Sequence, residues 1–425
     1  MLSKQKGFLA WLTQVESGEV KGTVTAFFFI FVLMAAYMVV RPVRDALPSD
    51  WGDTSRAVQW TYTFVISTIA VSIYNFCASR VSLRRLVPSV FIFFALSFVV
   101  IFGLSKAGFN KDLLGKVFYV WSSVFALFQI SVFWSFIAQI YSKEQSKRLF
   151  GIINTGASAG AIVGPLVVIL LIKNVPLETV LLITSMSLLA VLPLIAVLNR
   201  ERKDHGEKKN EVLGNLSSNP FSGFTDLFSH KQLRAIALFF FFFSGVSTFM
   251  YVFQSDLLVD YTKAERRELL GSLDLATNTL TILLGLFAAN RITKKFGLAT
   301  ALAIVPFFVA IILMLLSLNA AVMFVLALQL VRKAGNYAIT RPAREILYTG
   351  VSQEARFKTK PIIDVAVYRG SDVFWIWCLA FLGDGYLQLE PYQKFWIGAL
   401  IAVIWGGVGI YLGKKHEAGE ILNKG

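Results

Sequence analysis

Two short elements hold the residues best suited to chemistry. YMVVRPVRDAL fills positions 37–47 and YAITRPAREIL fills positions 337–347. On a helix Tyr37, Arg41 and Arg44 fall at i, i+4 and i+7 and share a face, and Tyr337, Arg341 and Arg344 repeat that spacing. Guanidinium forks match phosphate or carboxylate oxygens two at a time. Pro42 and Pro342 each remove a backbone hydrogen bond and bend the chain. The carbonyls so freed are tolerated where a helix lines an aqueous site. The second element continues a polar stripe that starts further back: Lys333, Asn336, Tyr337, Thr340 and Arg344 recur at three- and four-residue spacing, bordered by Arg332.

The elements that must position these residues are apolar. Of 425 residues 56% are hydrophobic and 16% charged, against ~25% charged in soluble chains. Mean hydropathy is +0.64. Runs long enough to cross a hydrocarbon core of roughly 30 Å recur throughout. The expected fold class is an all-α polytopic membrane protein with about twelve spans: 22–41, 57–78, 86–105, 115–140, 149–172, 178–198, 233–256, 269–290, 297–318, 320–347, 361–383 and 393–413. At ~1.5 Å per residue, Arg332 and Lys333 lie about 20 Å into the tenth run. A charge there costs at least about 2.5–3.5 kcal/mol on insertion scales, so it normally faces a cavity or a partner. Several cations around one cavity attract an anion.

A net charge of +15 would point to nucleic acid in a soluble chain. Here most cations lie between apolar runs, as the positive-inside rule requires, and no nucleic-acid partner is expected. The expected partners are membrane lipids and a small anionic substrate. Cys77 and Cys378 fall in predicted spans, which argues against a disulfide framework. His205, His230 and His416 form no cluster with metal-ligand spacing, so neither metal nor cofactor is expected. The first run is too long for a cleavable signal peptide. With no Ser-His-Asp order, metal cluster or Walker-type glycine loop, an enzyme is not expected.

Cations cluster in alternate connections (Arg80/Arg84/Arg85, Lys143/Lys147/Arg148, Arg200/Arg202/Lys203, Arg291/Lys294/Lys295, Arg356/Lys358/Lys360, Lys414/Lys415), which places both termini in the cytoplasm of an inner-membrane protein. The organisation expected is a segment 1–21, a six-helix bundle 22–198, a cytoplasmic linker 199–232, a second bundle 233–413 and a tail 414–425. In the first segment Phe8, Leu9, Leu12 and Val15 can share one face of a helix lying on the membrane. The two halves echo each other: SKEQSKRLFGIIN (142–154) aligns with SQEARFKTKPIID (352–364) at an offset of 210, and RVSLRRL (80–86) similarly echoes RITKKF (291–296). Parallel six-helix repeats of this kind resemble the major facilitator architecture, in which spans 1, 4, 7 and 10 line a central cavity. The two Arg-Pro elements are 300 residues apart, so they are not traces of that duplication. They fall at the outer end of span 1 and the inner end of span 10.

Other polar residues populate the spans. Span 7 carries Ser244, Ser247, Thr248, Tyr251 and Ser255 in one stripe, ending near Gln254 and Asp256; span 8 carries Asp274 and Asn278 one turn apart. Span 11 carries Asp364, Tyr368 and Asp372, with Arg369 alongside. Asp45, Asp256, Asp274, Glu345, Lys358 and Asp364 are candidates for gating or coupling. Asp45 and Glu345 are also candidate internal salt-bridge partners of the arginines beside them. The run GASAGAIVGP in span 5 reads as close helix packing.

The ends of spans 1 and 10 resemble those of the ATP/ADP translocases of intracellular bacteria and plastids and their relatives in free-living bacteria. That family closes its first span with Arg-x-x-Lys/Arg-Asp, matched by Arg41-Pro-Val-Arg44-Asp45. Its tenth ends in Pro-x-Lys/Arg-Glu, a Lys-rich loop and an Ile-Asp pair, as in RPAREILYTGVSQEARFKTKPIIDVAVYRG. SKEQSKRLFGIINTGA resembles the family's Glu-Ala-Lys-Arg-Phe-Tyr-Pro-Leu-Phe-Gly segment at Glu144, Arg148, Phe150 and Gly151. The resemblance implies nucleotide exchange, with Arg44 and Arg344 at the positions of the family's basic residues. Arginine replaces lysine at both, and Pro42 is an addition.

The function expected is therefore a secondary active transporter moving a phosphorylated organic anion, in ATP/ADP-type antiport, by alternating access. Tyr37, Arg41, Arg44, Arg332, Lys333, Asn336, Tyr337, Arg341 and Arg344 are the substrate-binding candidates. The alternatives are a proton-coupled carrier of another organic anion, with Asp256, Asp274 or Asp364 as the proton site, and a non-transporting sensor or scaffold.

Overall fold

In lipid a chain this apolar satisfies its backbone groups only within helices or closed barrels. The computed structural model is helical, and it describes residues 15–16, 18–78, 80–172, 177–204, 227–287, 289–318, 322–348, 359 and 362–418. Among the described residues twelve rods follow one another: α1 (Val20–Asp45), α2 (Asp53–Ala78), α3 (Leu83–Lys106), α4 (Lys111–Ile140), α5 (Lys143–Val167), α6 (Leu177–Asp204), α7 (Lys231–Leu257), α8 (Lys263–Phe287), α9 (Ala289–Leu316), α10, α11 and α12 (Pro391–Glu417). The tenth rod, α10, has three pieces: Val322–Gly335, a π turn Asn336–Thr340 and Arg341–Leu347. The eleventh, α11, runs through a π turn Ile362–Val367, a helix Tyr368–Ala380 and a second π turn Phe381–Gly385.

Among the described residues nine helices are long and apolar enough to cross a membrane. The three rods outside that set are α8, α10 and α11. They are the ones that interrupt their apolar faces with Arg266, Arg267 and Asp274, with Arg332 and Lys333, and with Arg369 and Asp372. Proline or glycine marks several of the breaks. Pro165 precedes a π turn at Val168–Ile172, Pro342 follows the one in α10, and Gly297 turns α9 with a φ of +82° that only glycine adopts easily. Phe8, Leu9 and Leu12 of the expected surface helix and most of the 199–232 linker lie outside the described residues.

Side chains close the helix ends where the backbone runs out of partners. Ser142 and Gln145 form a reciprocal capping box at α5, and the Asn110 side chain accepts from the Asp112 and Leu113 amides at α4.

The chain forms two compact units. Unit 1 holds Met1–Leu47, Val65–Asn210 and Lys263–Leu275; unit 2 holds Pro48–Phe64, Glu211–Thr262 and Ala276–Gly425. In unit 1 the GASAGAIVGP run packs α5 onto α1, as its small residues predict. A Cβ on Gly156 or Gly160 would strike the Phe27 or Phe31 carbonyl oxygen, and one on Gly164 would strike Met38. Lipid tails are as apolar as leucine, so such close approach, rather than hydrophobic expulsion, favours helix association. Phenylalanines fill the rest: Phe29 meets Phe133 edge-on at 5.0 Å and Phe91 at 5.6 Å. Unit 2 repeats the device with α12 on α9, where Gly409 and Gly413 lie against Leu302 and Ala299. Its core is built on Phe239, Phe249 and a fully buried Trp405.

Candidate functional site

In unit 1 the end of α1 is an ion-pair cluster. Arg44 directs Nε and Nη2 onto Asp45 Oδ1 at 2.8 and 2.7 Å. Arg41 reaches Asp45 Oδ2 at 3.6 Å through Nε and Asp274 Oδ1 of α8 at 3.5 Å through Nη1. The structure thus brings together Arg41, Arg44, Asp45 and Asp274, while Tyr37 packs on the apolar core a turn below. Both carboxylates are buried, so the arginines beside them carry compensated charge.

In unit 2, α10 holds its cations differently. Arg332 is only 6% exposed. Its Nε and Nη2 donate to the Gln329 side-chain oxygen at 3.1 and 2.7 Å, and Nη1 donates to Ser247 Oγ of α7 at 2.8 Å. Gln329 is fixed in turn, because its amide nitrogen donates to the Met250 carbonyl at 3.1 Å and to Gln254 Oε1 at 3.0 Å. A carboxamide and a hydroxyl orient the guanidinium here. Arg344, also buried, lies with its guanidinium carbon 3.9 Å from the centroid of Phe240.

The π turn changes the register of the polar stripe. Arg332, Asn336, Thr340 and Arg344 are buried at a steady spacing of four, which suits a helix widened by one residue. Lys333 is half-buried, and Tyr337 (42%) and Arg341 are exposed. The spacing read from the sequence put Tyr337, Arg341 and Arg344 on one face; in the structure Arg344 is buried and the other two are not. Glu345 is half-buried in the last piece of α10. Asp364 falls in the π turn Ile362–Val367, and Lys358 lies outside the described residues.

Asp256, at the end of α7, meets Arg56 of α2 in a very short ion pair, and both belong to unit 2. Arg56 also donates to Asp53 Oδ1 at 3.0 Å and to the Pro48 carbonyl at 2.8 Å. Asp53 takes Lys394 of α12 at 3.1 Å. In α11, Asp372 accepts from the buried Ser244 hydroxyl of α7, with Arg369 Nη1 at 4.0 Å from its other oxygen. The sequence reading missed Arg56, Asp53, Lys394 and Gln329. The first three sit at span ends, where charge is ordinary, and a glutamine next to an arginine by one helical turn has no distinctive signature. The i, i+3 spacing of Gln329 and Arg332 was the available signal.

The rods of the described residues, in two glycine-packed units with ionisable side chains inside the spans, define a polytopic carrier of the membrane. The chain belongs to the Major Facilitator Superfamily, whose model matches residues 23–340, and it is a secondary transporter rather than an enzyme. Its fold is similar to a bacterial homologue of the human lysosomal transporter Spinster in an inward-facing, unoccupied conformation (TM-score 0.63, 12% identity, covering 95% of this chain and 98% of that one). It is similar also to the nucleoside transporter NupG (TM-score 0.62, 10% identity, 95% and 99% covered) and to the xylose transporter XylE from E. coli (0.59, 14%, 90% and 94%). At such identities the likeness is one of fold. No curated protein matches the chain.

Proposed function

We propose that this transporter moves a phosphorylated organic anion, as a nucleotide exchanger of the ATP/ADP type, by alternating access. The observation that carries the reading is the way Arg332 is held. A buried guanidinium in a spanning helix is expensive; here it is oriented by Gln329 and Ser247, and its own helix also carries Lys333, Asn336 and Arg344. Arg forks suit phosphate oxygens, and Lys333, Asn336 and Arg344 extend the same helix as further donors. Tyr337 and Arg341 are its exposed members. Arg41 and Arg44 enter the reading as cations that release Asp274 and Asp45 when substrate charge arrives. The charge bias of the connections supports an inner-membrane location with both termini cytoplasmic.

The test is exchange in liposomes. Vesicles loaded with ADP should take up labelled ATP, vesicles without internal nucleotide should not, and Lys333→Ala should reduce uptake. No uptake of any nucleotide, with Lys333→Ala leaving whatever transport exists unchanged, would sink the reading.

Asp372 favours a second reading. A buried carboxylate held by one hydroxyl, with Arg369 only at 4.0 Å, is suited to carry a proton. A proton-coupled carrier of another organic anion would lose uptake with the pH gradient and ignore internal nucleotide.

A further inference from the structure

Within unit 2, α2 and α7 meet along a short seam. Arg56 of α2 pairs with Asp256 of α7. One helical turn further along α2, the Trp60 ring meets the Tyr251 ring of α7, with centroids 5.4 Å apart and planes inclined at 56°. One turn from Tyr251 on α7 lies Ser247, whose hydroxyl accepts from Arg332 Nη1 at 2.8 Å. At ~1.5 Å per residue, Tyr251 and Ser247 are about 6 Å apart along the helix. Along α7 the order is therefore an ion pair, an aromatic pair and a buried guanidinium, and every member belongs to unit 2.

The aromatic pair is a fixed platform. Trp60 packs against the apolar core of unit 2, and both rings keep part of their surface exposed. The Trp60 Nε1 atom is buried and, among the described residues, has no hydrogen-bond partner. A buried donor without an acceptor is costly, and native folds keep few of them. A phenylalanine ring would pack on the same core without that cost, so packing alone does not account for the indole.

We infer that Trp60 and Tyr251 form a subsite for an aromatic base joined to the phosphorylated group, with the indole N–H donating to a ring nitrogen or carbonyl oxygen of that base. The inference rests on the reading of Arg332 as a phosphate-binding cation. A base offers a π face for stacking, which a sugar phosphate or inorganic phosphate lacks. The sugar of a nucleotide separates base from phosphate, and one turn of α7 separates Tyr251 from the hydroxyl that holds Arg332. At the far end of the seam Arg56 already faces the carboxylates of Asp256 and Asp53, so its charge is compensated and does not compete for phosphate. Stacking tolerates any base, so the subsite separates nucleotides from other phosphorylated anions rather than one base from another.

The test compares ATP with inorganic tripolyphosphate, which carries the same three phosphoryl groups and no base. Ligand-dependent thermal stabilisation of the purified full-length protein gives an apparent affinity for each. The native chain should bind ATP about tenfold or more tighter than tripolyphosphate, the factor that a stacked base contributes. Trp60→Leu and Tyr251→Leu should each bring ATP toward the tripolyphosphate value and keep the response to tripolyphosphate, which also shows that the variants fold. Trp60→Phe keeps a ring and removes the N–H, and it should lose part of the difference; an unchanged difference would overturn the hydrogen bond. Equal affinities for the two ligands in the native chain, or leucine variants that weaken both ligands alike, would overturn the base subsite and leave the phosphate reading standing. If neither ligand stabilises the native chain, the phosphate reading fails and takes the subsite with it.

Discussion

Gln329 Oε1 accepts two hydrogen bonds from Arg332, at 3.1 Å from Nε and 2.7 Å from Nη2, while the amide nitrogen of the same side chain is anchored on α7. A glutamine used in this way sets the direction of a buried cation and adds no charge of its own. Glutamate at that position would add a counter-charge. Gln329→Glu is thus expected to lower nucleotide affinity about tenfold or more, while it loses the two hydrogen bonds that the amide nitrogen donates to Met250 and Gln254. Gln329→Leu should instead leave buried guanidinium donors unsatisfied and destabilise the fold by about 1–3 kcal/mol. Thermal unfolding and nucleotide binding, measured on both variants, separate the two effects.

The α1–α5 seam makes a packing prediction. Gly160 lies directly on the Phe31 carbonyl, whereas Gly103 of α3 has open space where its Cβ would be. Gly160→Leu is expected to cost about 1–3 kcal/mol or more through overpacking. Gly103→Ala should stay within about 1 kcal/mol of the native protein and err toward stabilisation, since alanine favours a helix. The two unfolding temperatures in detergent check this, and equal losses would contradict the close approach.

The Arg41–Asp274 pair should behave as coupled. Removing either partner alone weakens the compensation of a largely buried charge, and removing both takes away the pair. A cycle of Arg41→Ala, Asp274→Asn and the double variant should give a coupling of about 0.5–3 kcal/mol in unfolding free energy. Asp45 also holds Arg41, which places the expected value toward the lower end.

Glu19 predicts a dependence on pH. It lies one residue before the first spanning stretch. Burial works to raise its pKa, but hydrogen bonds from Gln145, the Glu16 amide and Arg148, with the Arg148 charge, outweigh that and hold it below the usual carboxylate value. A group depressed in the folded state contributes its full stability above the unfolded pKa, about 4.3, and loses it as pH falls through the folded value. Unfolding temperature should therefore drop on acidification below about pH 4.3, and Glu19→Gln should remove that part of the slope. An identical slope in the variant would contradict the assignment.

The helices and their family-level arrangement were legible because twenty-residue apolar runs have few alternatives in lipid. The glycine seam in span 5 was legible for a similar reason, since close approach selects small residues. The site was less so. Arg332, Lys333 and Arg344 stood out by their position inside a span, but the π turn at Asn336–Thr340 altered which neighbours share their burial, and a face drawn at ordinary helical spacing groups Tyr337 and Arg341 with Arg344. Arg56 and Asp53 were invisible because their partners, Asp256 and Lys394, come from the other half of the sequence, and only the tertiary fold joins them.

The central claim is that the cations of α10 bind phosphate. Its most direct measurement is the thermal stabilisation of purified protein by ATP, ADP and inorganic phosphate, compared between the native chain, Lys333→Ala and Arg332→Gln. The account predicts stabilisation by nucleotide in the native protein that rises with ligand concentration, weakens by about tenfold or more in apparent affinity in both variants, and falls as salt screens the charges. Equal stabilisation of all three proteins, or none of the native one by any phosphorylated compound, would contradict it.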